Sequence, residues 1–188
     1  MALEHAILVS LSERAASGLD LARRFDRSIG FFWSATHQQI YKVLARMESE
    51  GWVSSTAVAQ HGRPGKRVYE VTATGRDELA TWLSTPMPDE RFRSELAVRL
   101  RGASYGDRET VFATVREQRA DHAARLDAYQ EMAARDFPDP PSLTGRALDV
   151  YLVLRGGIRL EQFWVDWLSE YLHAHESPAR RTTEGRSR

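Results

Sequence analysis

A chain of 188 residues is long enough to bury a hydrophobic core in one or two compact domains. It contains no cysteine, which excludes disulfide bonds and thiolate metal sites. Lys and Arg balance Asp and Glu at 26 each, so the composition argues against indiscriminate binding to polyanions. No apolar run is long enough to cross a bilayer, and the apolar stretch near the N-terminus lacks a preceding basic region. We therefore expect a cytoplasmic protein.

The chain begins with two short amphipathic patterns. Leu3, Ile7 and Leu11 recur at helical spacing and predict a first helix. A second helix is predicted over residues 17–27, with Leu21 on its inward side. Each helix has one narrow apolar stripe, so each is expected to pack against a neighbour in a small helical domain.

The third pattern, residues 31–51, predicts a single amphipathic helix. Ser34 is the expected N-cap, because its hydroxyl can accept a hydrogen bond from a backbone N–H of the first turn. Gly51 is expected to end the helix in the left-handed conformation. The inward stripe of this helix consists of Ile40, Leu44 and Met47.

The outward side of the same helix carries short polar, amide and cationic side chains, which are the types that contact bases and phosphates in a major groove. Any surface helix also has a polar side, so this feature alone favours neither interpretation. Tyr41 is expected to place its ring against the domain and its hydroxyl near a phosphate. The remaining DNA-binding candidates on this helix are Ser34 at its start, Thr36, His37, Gln38 and Gln39 for base edges, and Lys42 and Arg46 for phosphates.

Two runs rich in β-branched and aromatic residues, 52–58 and 68–72, predict a β-hairpin after this helix. The loop between them contains two glycines and one proline. Its cations, Arg63, Lys66 and Arg67, are predicted to lie along a phosphate backbone. Taken alone, the loop favours the interpretation as a solvated hairpin turn.

The charge balance of the first half weakens a DNA-binding interpretation. Residues 1–85 carry ten Lys or Arg against nine Asp or Glu, a net charge of +1. Neutralising phosphates supplies much of the affinity for DNA, so a small net charge predicts moderate affinity. Glu48 and Glu50 lie at the far end of the predicted DNA-contacting helix, which leaves the cations free to share one surface. A dimer would double that surface.

The second half of the chain is almost entirely helical in pattern. Thr74 is predicted to cap a helix that ends before Pro86 and Pro88, which break the pattern. Helices are then predicted over residues 91–101 and from about 107 to 136. A last helix follows the proline-rich segment at 138–141, with Ser142 or Thr144 as its cap.

The last helix has an apolar side too wide for one neighbouring helix to cover. Trp and Tyr on this side are the residue types that commonly anchor interfaces. Gly156 and Gly157 lie in its middle, where each costs roughly 1 kcal/mol of helix stability relative to alanine. A kink or a close approach of another helix is expected to offset that cost. We interpret the long helices as a dimerisation arm, and residues 177–188 as a disordered tail.

Several linked segments in the first hundred residues occur in a fixed order. They are Gly30-Phe31-Phe32-Trp33-Ser34, Gln39-Ile40-Tyr41-x-x-Leu44-x-Arg46-Met47-Glu48-x-Glu50-Gly51, Gly62-Arg63-Pro64-x-Lys66-Arg67-Val68-Tyr69, Thr72-x-Thr74-Gly75-Arg76 and Arg93-Ser94-Glu95-Leu96-Ala97-Val98-Arg99-Leu100. In this order they resemble the PadR-like family of bacterial transcriptional regulators, over residues 1 to about 101. The rest of the chain resembles the members with the larger, AphA-like C-terminal helical domain.

The resemblance implies a mainly α fold with a small β-hairpin wing. It implies a winged helix-turn-helix DNA-binding domain over residues 1–85 and a helical dimerisation domain over residues 86–176. We interpret the chain as a sequence-specific, homodimeric repressor whose paired helices enter successive major grooves of a semi-palindromic operator.

Many PadR-like regulators release DNA when an aromatic or lipophilic compound binds between the DNA-binding domain and the dimer arm. Aromatic side chains of this sequence are therefore candidates for an effector pocket, although such residues also commonly form protein core and interface. The candidates are Phe31, Phe32, Trp33, Trp82, Phe92, Phe163, Trp164 and Trp167.

The sequence supports no catalytic site, metal site or cofactor site. His173 and His175 fall on different sides of a helix end, without a defined third metal ligand. The segment 62–66 lacks the spacing and context of a phosphate-binding loop. The alternative function from another class is a winged-helix protein-interaction module without DNA binding, which the near-zero net charge keeps open.

Overall fold

The computed structural model describes residues 2–27, 35–60, 63–87 and 94–176. The chain divides into two compact units, Met1–Asp89 and Glu90–Arg188. No helix in these described ranges is long and apolar enough to span a membrane. The predicted tail at 177–188 lies outside the described residues.

The N-terminal unit combines helices with one small antiparallel sheet, as predicted. The elements are α1 (Ala2–Glu13), β1 (Ala16–Ser17), α2 (Gly18–Arg27), α3 (His37–Ser49), β2 (Val53–Gln60), β3 (Arg63–Val71) and α4 (Ala73–Ser84). The strand order of the sheet is β1-β3-β2, so the predicted hairpin of β2 and β3 gains a short third strand.

The core of this unit is formed by the inward stripes of α1, α2 and α3 together with the base of the sheet. The predicted stripe of α3, Ile40, Leu44 and Met47, is fully buried, which confirms the orientation of that helix. Its outward side consequently faces solvent. The other fully or nearly fully buried members of the core are Ile7, Leu8, Leu11, Ala16, Leu21, Ala22, Phe25, Val53 and Tyr69.

The start of α3 differs from the prediction. Ser34 lies outside the described residues, and Thr36 is the N-cap instead. Thr36 forms a capping box with Gln39, in which each side chain accepts a hydrogen bond from the other residue's backbone N–H. Ala35 and Thr36 are not helical, so the prediction of a single helix over residues 31–51 was wrong at its start. Gly51 does adopt the predicted left-handed conformation, with φ of 74°.

The cap of α4 also differs, because Thr72 holds that position instead of Thr74. The hydroxyl of Thr72 accepts from the backbone N–H of Gly75 at 3.0 Å and donates to the carbonyl of Gly51 at 2.6 Å. It thereby joins the start of α4 to the end of α3. Gly75 fits against the carbonyl of Trp52, where a Cβ would overlap the backbone.

The wing strands are longer than predicted. Residues 63–67 belong to β3 and not to the loop, and an irregularity interrupts the pairing between Val58 and Gln60. Lys66 pairs with Val58 and Arg67 with Ala57 across the hairpin. The wing cations Lys66 and Arg67 are therefore held on a strand, where consecutive side chains point to opposite faces.

The C-terminal unit is a hairpin of two long helices with a short helix beside it. Its elements are α5 (Glu95–Arg101), a 3₁₀ turn (Ala103–Tyr105), α6 (Arg108–Asp136), a second 3₁₀ turn (Pro140–Ser142) and α7 (Gly145–Glu176). The long helices are antiparallel, since Arg116 of α6 approaches Glu176 while Phe137, just past α6, contacts Tyr151. Helix α7 continues without a break through Gly156 and Gly157.

The core of this unit is small. Leu100, Val115, Leu168 and Leu172 form one buried cluster that joins α5, α6 and α7. The Tyr171 hydroxyl donates to the carbonyl of Leu100 at 3.1 Å and fastens α7 to the end of α5.

Candidate nucleic-acid interface

The first two turns of α3 present a continuous polar surface. Three of its predicted base-edge residues, His37, Gln38 and Gln39, are exposed, and so are Tyr41 and Lys42. The buried stripe on the opposite side holds these side chains outward. A helix that is anchored on one side and polar on the other has the form needed to enter a major groove.

Two of the predicted base-edge residues have a structural role at the helix start. The backbone N–H of Gln39 donates to Oγ1 of Thr36 at 3.2 Å, and the backbone N–H of Thr36 donates to Oε1 of Gln39 at 2.8 Å. These bonds satisfy polar groups that the first helical turn leaves without partners. They also fix the side chain of Gln39, whose amide group lies at the surface.

Tyr41 lies where α2 begins. Its ring packs against Gly18, because a Cβ at that glycine would overlap the ring. About half of the Tyr41 side chain nevertheless remains exposed, at 47%. The sequence prediction placed the ring against the domain and the hydroxyl near a phosphate, and this arrangement is compatible with both parts.

The predicted phosphate contacts differ in how they are paired. Among the predicted phosphate contacts whose side chains are described, Lys42 is the one that forms no ion pair with a carboxylate of the described residues. Arg46 is paired with Glu4 of α1 and lies 3.9 Å from Glu50 in its own helix. Arg46 thus links α3 to α1. The side chain of Arg63 lies outside the described residues.

The two described wing cations are held by acids on the helices. Nζ of Lys66 lies 3.4 Å from Oδ2 of Asp20 in α2. Nη2 of Arg67 lies 2.9 Å from Oε1 of Glu48 in α3. Sequence reasoning assigned no role to Asp20 and treated Glu48 only as a distant acid. These pairings connect segments far apart in the chain, so no local pattern signals them.

Asp20 is ionised at neutral pH. The hydroxyl of Ser17 donates to its carboxylate at 2.7 Å and lowers the pKa of Asp20, and Lys66 lowers it further, while partial burial opposes both. The carboxylate that holds Lys66 is therefore a full negative charge.

Arg24 of α2 also has a structural role. Its guanidinium donates to the backbone carbonyls of Ser10, Arg14 and Ala15, at 3.0, 2.7 and 3.0 Å. These carbonyls lie at the end of α1, where helical acceptors lack partners. Arg24 closes that end and joins α1 to α2.

The candidate effector residues fall into separate groups. Phe31, Phe32, Trp33 and Phe92 lie outside the described residues. Trp82, in the N-terminal unit, stacks on the buried ring of His5 with a centroid distance of 4.5 Å. His5 in turn lies 3.1 Å from Glu78 of α4, so this group ties α1 to α4.

The other candidates form an aromatic cluster on α7 in the C-terminal unit, which we call the α7 aromatic cluster: Phe163, Trp164 and Trp167. Their ring centroids lie 5.4 to 5.9 Å apart. His122 of α6 stacks on Trp164 at 5.1 Å. Nδ1 of His122 also lies 2.5 Å from the buried carboxylate of Glu161, which Arg125 approaches at 3.3 Å. Sequence reasoning did not find this polar group, because it joins two helices.

Comparison with known proteins agrees with this architecture. Residues 7–81 match the transcriptional regulator PadR-like family, and residues 92–176 match the virulence activator alpha C-terminal family. A probable transcriptional regulator of Mycobacterium tuberculosis is 51% identical over 184 residues, covering 93% of this chain and 97% of that protein. The negative transcriptional regulator PadR of Bacillus subtilis is 29% identical over 175 residues, covering 90% and 95%.

Solved structures extend the likeness to the whole fold. The Vibrio cholerae virulence activator AphA matches with a TM-score of 0.75 at 31% identity, covering 92% of this chain and 96% of that chain. Bacillus subtilis PadR in complex with operator DNA gives 0.79 at 28% identity, with 93% and 99% covered. The same protein in complex with p-coumaric acid gives 0.74 at 28% identity, with 94% and 100% covered. The chain therefore belongs to the PadR-like family of transcriptional regulators, with a DNA-binding winged-helix fold and an AphA-like C-terminal helical domain.

Proposed function

We propose that this regulator is a cytoplasmic, homodimeric repressor that binds a semi-palindromic operator through α3 and the β2–β3 wing. The observation that carries the proposal is the exposed polar surface of α3 from His37 to Lys42, opposite a fully buried stripe. Bases would be read by His37, Gln38 and Gln39, while Lys42 and the wing contact phosphates. The complex of Bacillus subtilis PadR with operator DNA supports this use of the shared fold.

The exposed side of α7 supports the homodimer. Leu152, Gly156, Leu160 and Phe163 follow one another at intervals of four, four and three residues, so they form one stripe along the helix. We call it the exposed α7 stripe. Its large members are 55%, 50% and 49% exposed, in chain order. The stripe lies beside the buried positions that pack within the unit, such as Leu168, and is distinct from them.

Leaving such a stripe in water is unfavourable. Burying a leucine or phenylalanine side chain contributes about 1.5–3 kcal/mol. Gly156 has no side chain, and no described residue outside its own helical turn lies within 4 Å of the position its Cβ would take, so another helix can approach closely there. A second copy of α7 supplies a matching apolar surface under two-fold symmetry. Two-fold symmetry in the protein then requires two related half-sites in the operator.

Repression is the proposed direction of control. The Bacillus subtilis relative is named a negative regulator, whereas AphA is named a virulence activator, so the shared fold serves proteins of both kinds. A bound dimer that overlaps a promoter blocks RNA polymerase without any further contact. Transcription in vitro from the promoter of its own gene should fall as the protein is added, and a rise would overturn the repressor assignment.

The α7 aromatic cluster supports an aromatic effector. Trp164 and Trp167 of this cluster offer ring faces for stacking, and the His122–Glu161 pair lies beside them. The complex of Bacillus subtilis PadR with p-coumaric acid supports the same class of ligand. Titrating phenolic acids should quench tryptophan fluorescence and release DNA in parallel. Quenching without release would show binding that does not regulate.

A gel-shift titration tests the DNA-binding proposal. The probe is DNA from upstream of the gene, and the competitor is unrelated duplex. Lys42→Ala should weaken binding to both sequences alike, whereas Gln38→Ala should change the preference between them. Arg14→Ala is the matched control, because it removes the same charge from an exposed position at the end of α1. Absence of any retarded band at low salt would instead favour a protein-interaction module.

A further inference from the structure

The two described cations of the wing are each tied to a different helix of the helix-turn-helix. Lys66 and Arg67 are neighbours on β3, so their side chains leave opposite faces of the strand. Lys66 reaches Asp20 on α2, and Arg67 reaches Glu48 on α3. The wing is thereby held to both helices by opposite charges.

The Arg67 pairing is a closed hydrogen-bonded group. Its Nη2 donates to Oε1 of Glu48 at 2.9 Å, and its Nε donates to Oγ of Ser55 at 3.0 Å. Ser55 donates in turn to the same Oε1 of Glu48 at 2.6 Å. The guanidinium also lies 5.9 Å from the centre of the Tyr69 ring. Glu48 thus fixes where Arg67 points.

Arg67 remains accessible despite these contacts. Its side chain is 60% exposed, whereas that of Glu48 is only 29% exposed. A phosphate can therefore reach the guanidinium from solvent while the carboxylate stays behind it. A phosphate that binds there meets a guanidinium whose charge Glu48 already balances. The negative charge of Glu48 also lies close to the phosphate.

Such an arrangement has a defined effect on DNA binding. Affinity for DNA rises with the number of phosphates that the protein neutralises, and its salt dependence rises in proportion. An internal carboxylate competes with the phosphate for the same guanidinium. It reduces both the affinity and the number of counterions that binding releases.

We propose that Glu48 is a positioning residue that sets the DNA affinity of the wing by acting as an internal counterion of Arg67. Asp20 also pairs with Lys66, although these two side chains are about equally exposed, at 42% and 39%. The inference rests on the proposed function, because it requires that the wing contacts DNA. The restrained cations then contribute little to the phosphate contacts that any duplex offers.

Glu48→Gln is the direct test. Glutamine keeps an oxygen that can accept from Ser55 and removes only the charge. Binding to the upstream DNA and to an unrelated duplex should tighten by about 3- to 10-fold at moderate salt. The slope of log affinity against log salt should steepen by up to about one unit. A purely structural role of Glu48 would weaken binding and leave that slope unchanged.

Glu70→Gln is the matched control. Glu70 is an exposed carboxylate on the same strand, and within the described chain it forms no ion pair. It should change affinity by less than about twofold, which reflects the altered net charge alone. Equal effects of Glu48→Gln and Glu70→Gln would overturn the inference.

A double-mutant cycle with Arg67→Ala isolates the pair. The gain from Glu48→Gln should disappear when Arg67 is absent, and a gain that persists would overturn the inference. Asp20→Asn gives a second, independent arm through Lys66, with thermal melting as the check on folding. If the unmodified protein retards no DNA at any salt, the proposed function fails and this inference fails with it. If the unmodified protein binds and Glu48→Gln does not tighten binding, only the inference fails.

Discussion

The two units of this protein differ in how completely they bury their own apolar surface. In the N-terminal unit the inward stripes of α1, α2 and α3 meet in one core, and the exposed side of α3 is polar. In the C-terminal unit the buried cluster is small, and α7 keeps Leu160 and Phe163 about half exposed. The first unit buries these inward stripes within itself. The second has apolar surface left over for association.

This difference supports the separate tasks that we propose for the two units. A self-contained domain can present a polar surface to DNA without depending on a partner for its shape. A unit with an uncovered apolar stripe gains stability when a second copy covers it.

Leu160→Asp should dissociate the dimer. The substitution places a charge on the exposed α7 stripe of both subunits. Under two-fold symmetry the burial of two leucine side chains is lost, which costs about 3–6 kcal/mol of association free energy. Sedimentation across a concentration range measures it. Gln162→Asp is the control, because it introduces the same side chain on the polar side of α7. A dimer that tolerates Leu160→Asp would show that the stripe is not the interface.

Leu44→Ala should destabilise the N-terminal unit by about 2–5 kcal/mol, since it removes a fully buried side chain and leaves a cavity. Denaturant unfolding measures the loss. Lys42→Ala, two positions earlier on the exposed side of α3, should cost less than about 0.5 kcal/mol. Similar costs for the two variants would contradict the described orientation of α3.

Glu161→Gln should destabilise the C-terminal unit by about 1–3 kcal/mol. It removes the buried charge that faces His122 and Arg125, at 2.5 and 3.3 Å, and leaves weaker hydrogen bonds in its place. Denaturant unfolding followed by tryptophan fluorescence reports it, because Trp164 stacks on His122. Glu170→Gln, on the exposed side of the same helix, is the control and should have almost no effect.

Thr36→Ala should have the smallest effect on stability, about 1 kcal/mol, because one capping hydrogen bond is lost. Thr36→Ser keeps the hydroxyl and should retain most of the stability, as measured by thermal melting. A loss equally large in both variants would mean that the methyl group, and not the cap, supports the helix.

The sequence predicted the elements well wherever they depend on local periodicity. The buried stripe of α3 follows from the spacing of Ile40, Leu44 and Met47. The cap was misplaced although its signature was present, since Thr36 and Gln39 have the spacing of a capping box. The loop of the wing was predicted to be too long, because Gly62, Pro64 and Gly65 are residue types that commonly form turns.

The partners of the candidate DNA contacts could not be predicted in this way. Arg46 and Arg67 have the composition of phosphate contacts, and only the tertiary fold brings Glu4 and Glu48 to them. Ion pairs between distant segments depend on the packing of whole elements, which no local spacing encodes. The sequence therefore identifies these cations as candidates, but it does not reveal the carboxylates that pair with them.

The buried carboxylate between the long helices also restricts how they can align. Glu161 meets His122 and Arg125 at a single register of α7 along α6. Sliding by one helical turn, about 5.4 Å, would carry Glu161 away from both partners and leave its carboxylate without them. An apolar seam alone tolerates such slippage, and this one does not. The contacts of Glu161 therefore fix the register of α7 along α6, and with it the distance that the helical hairpin spans.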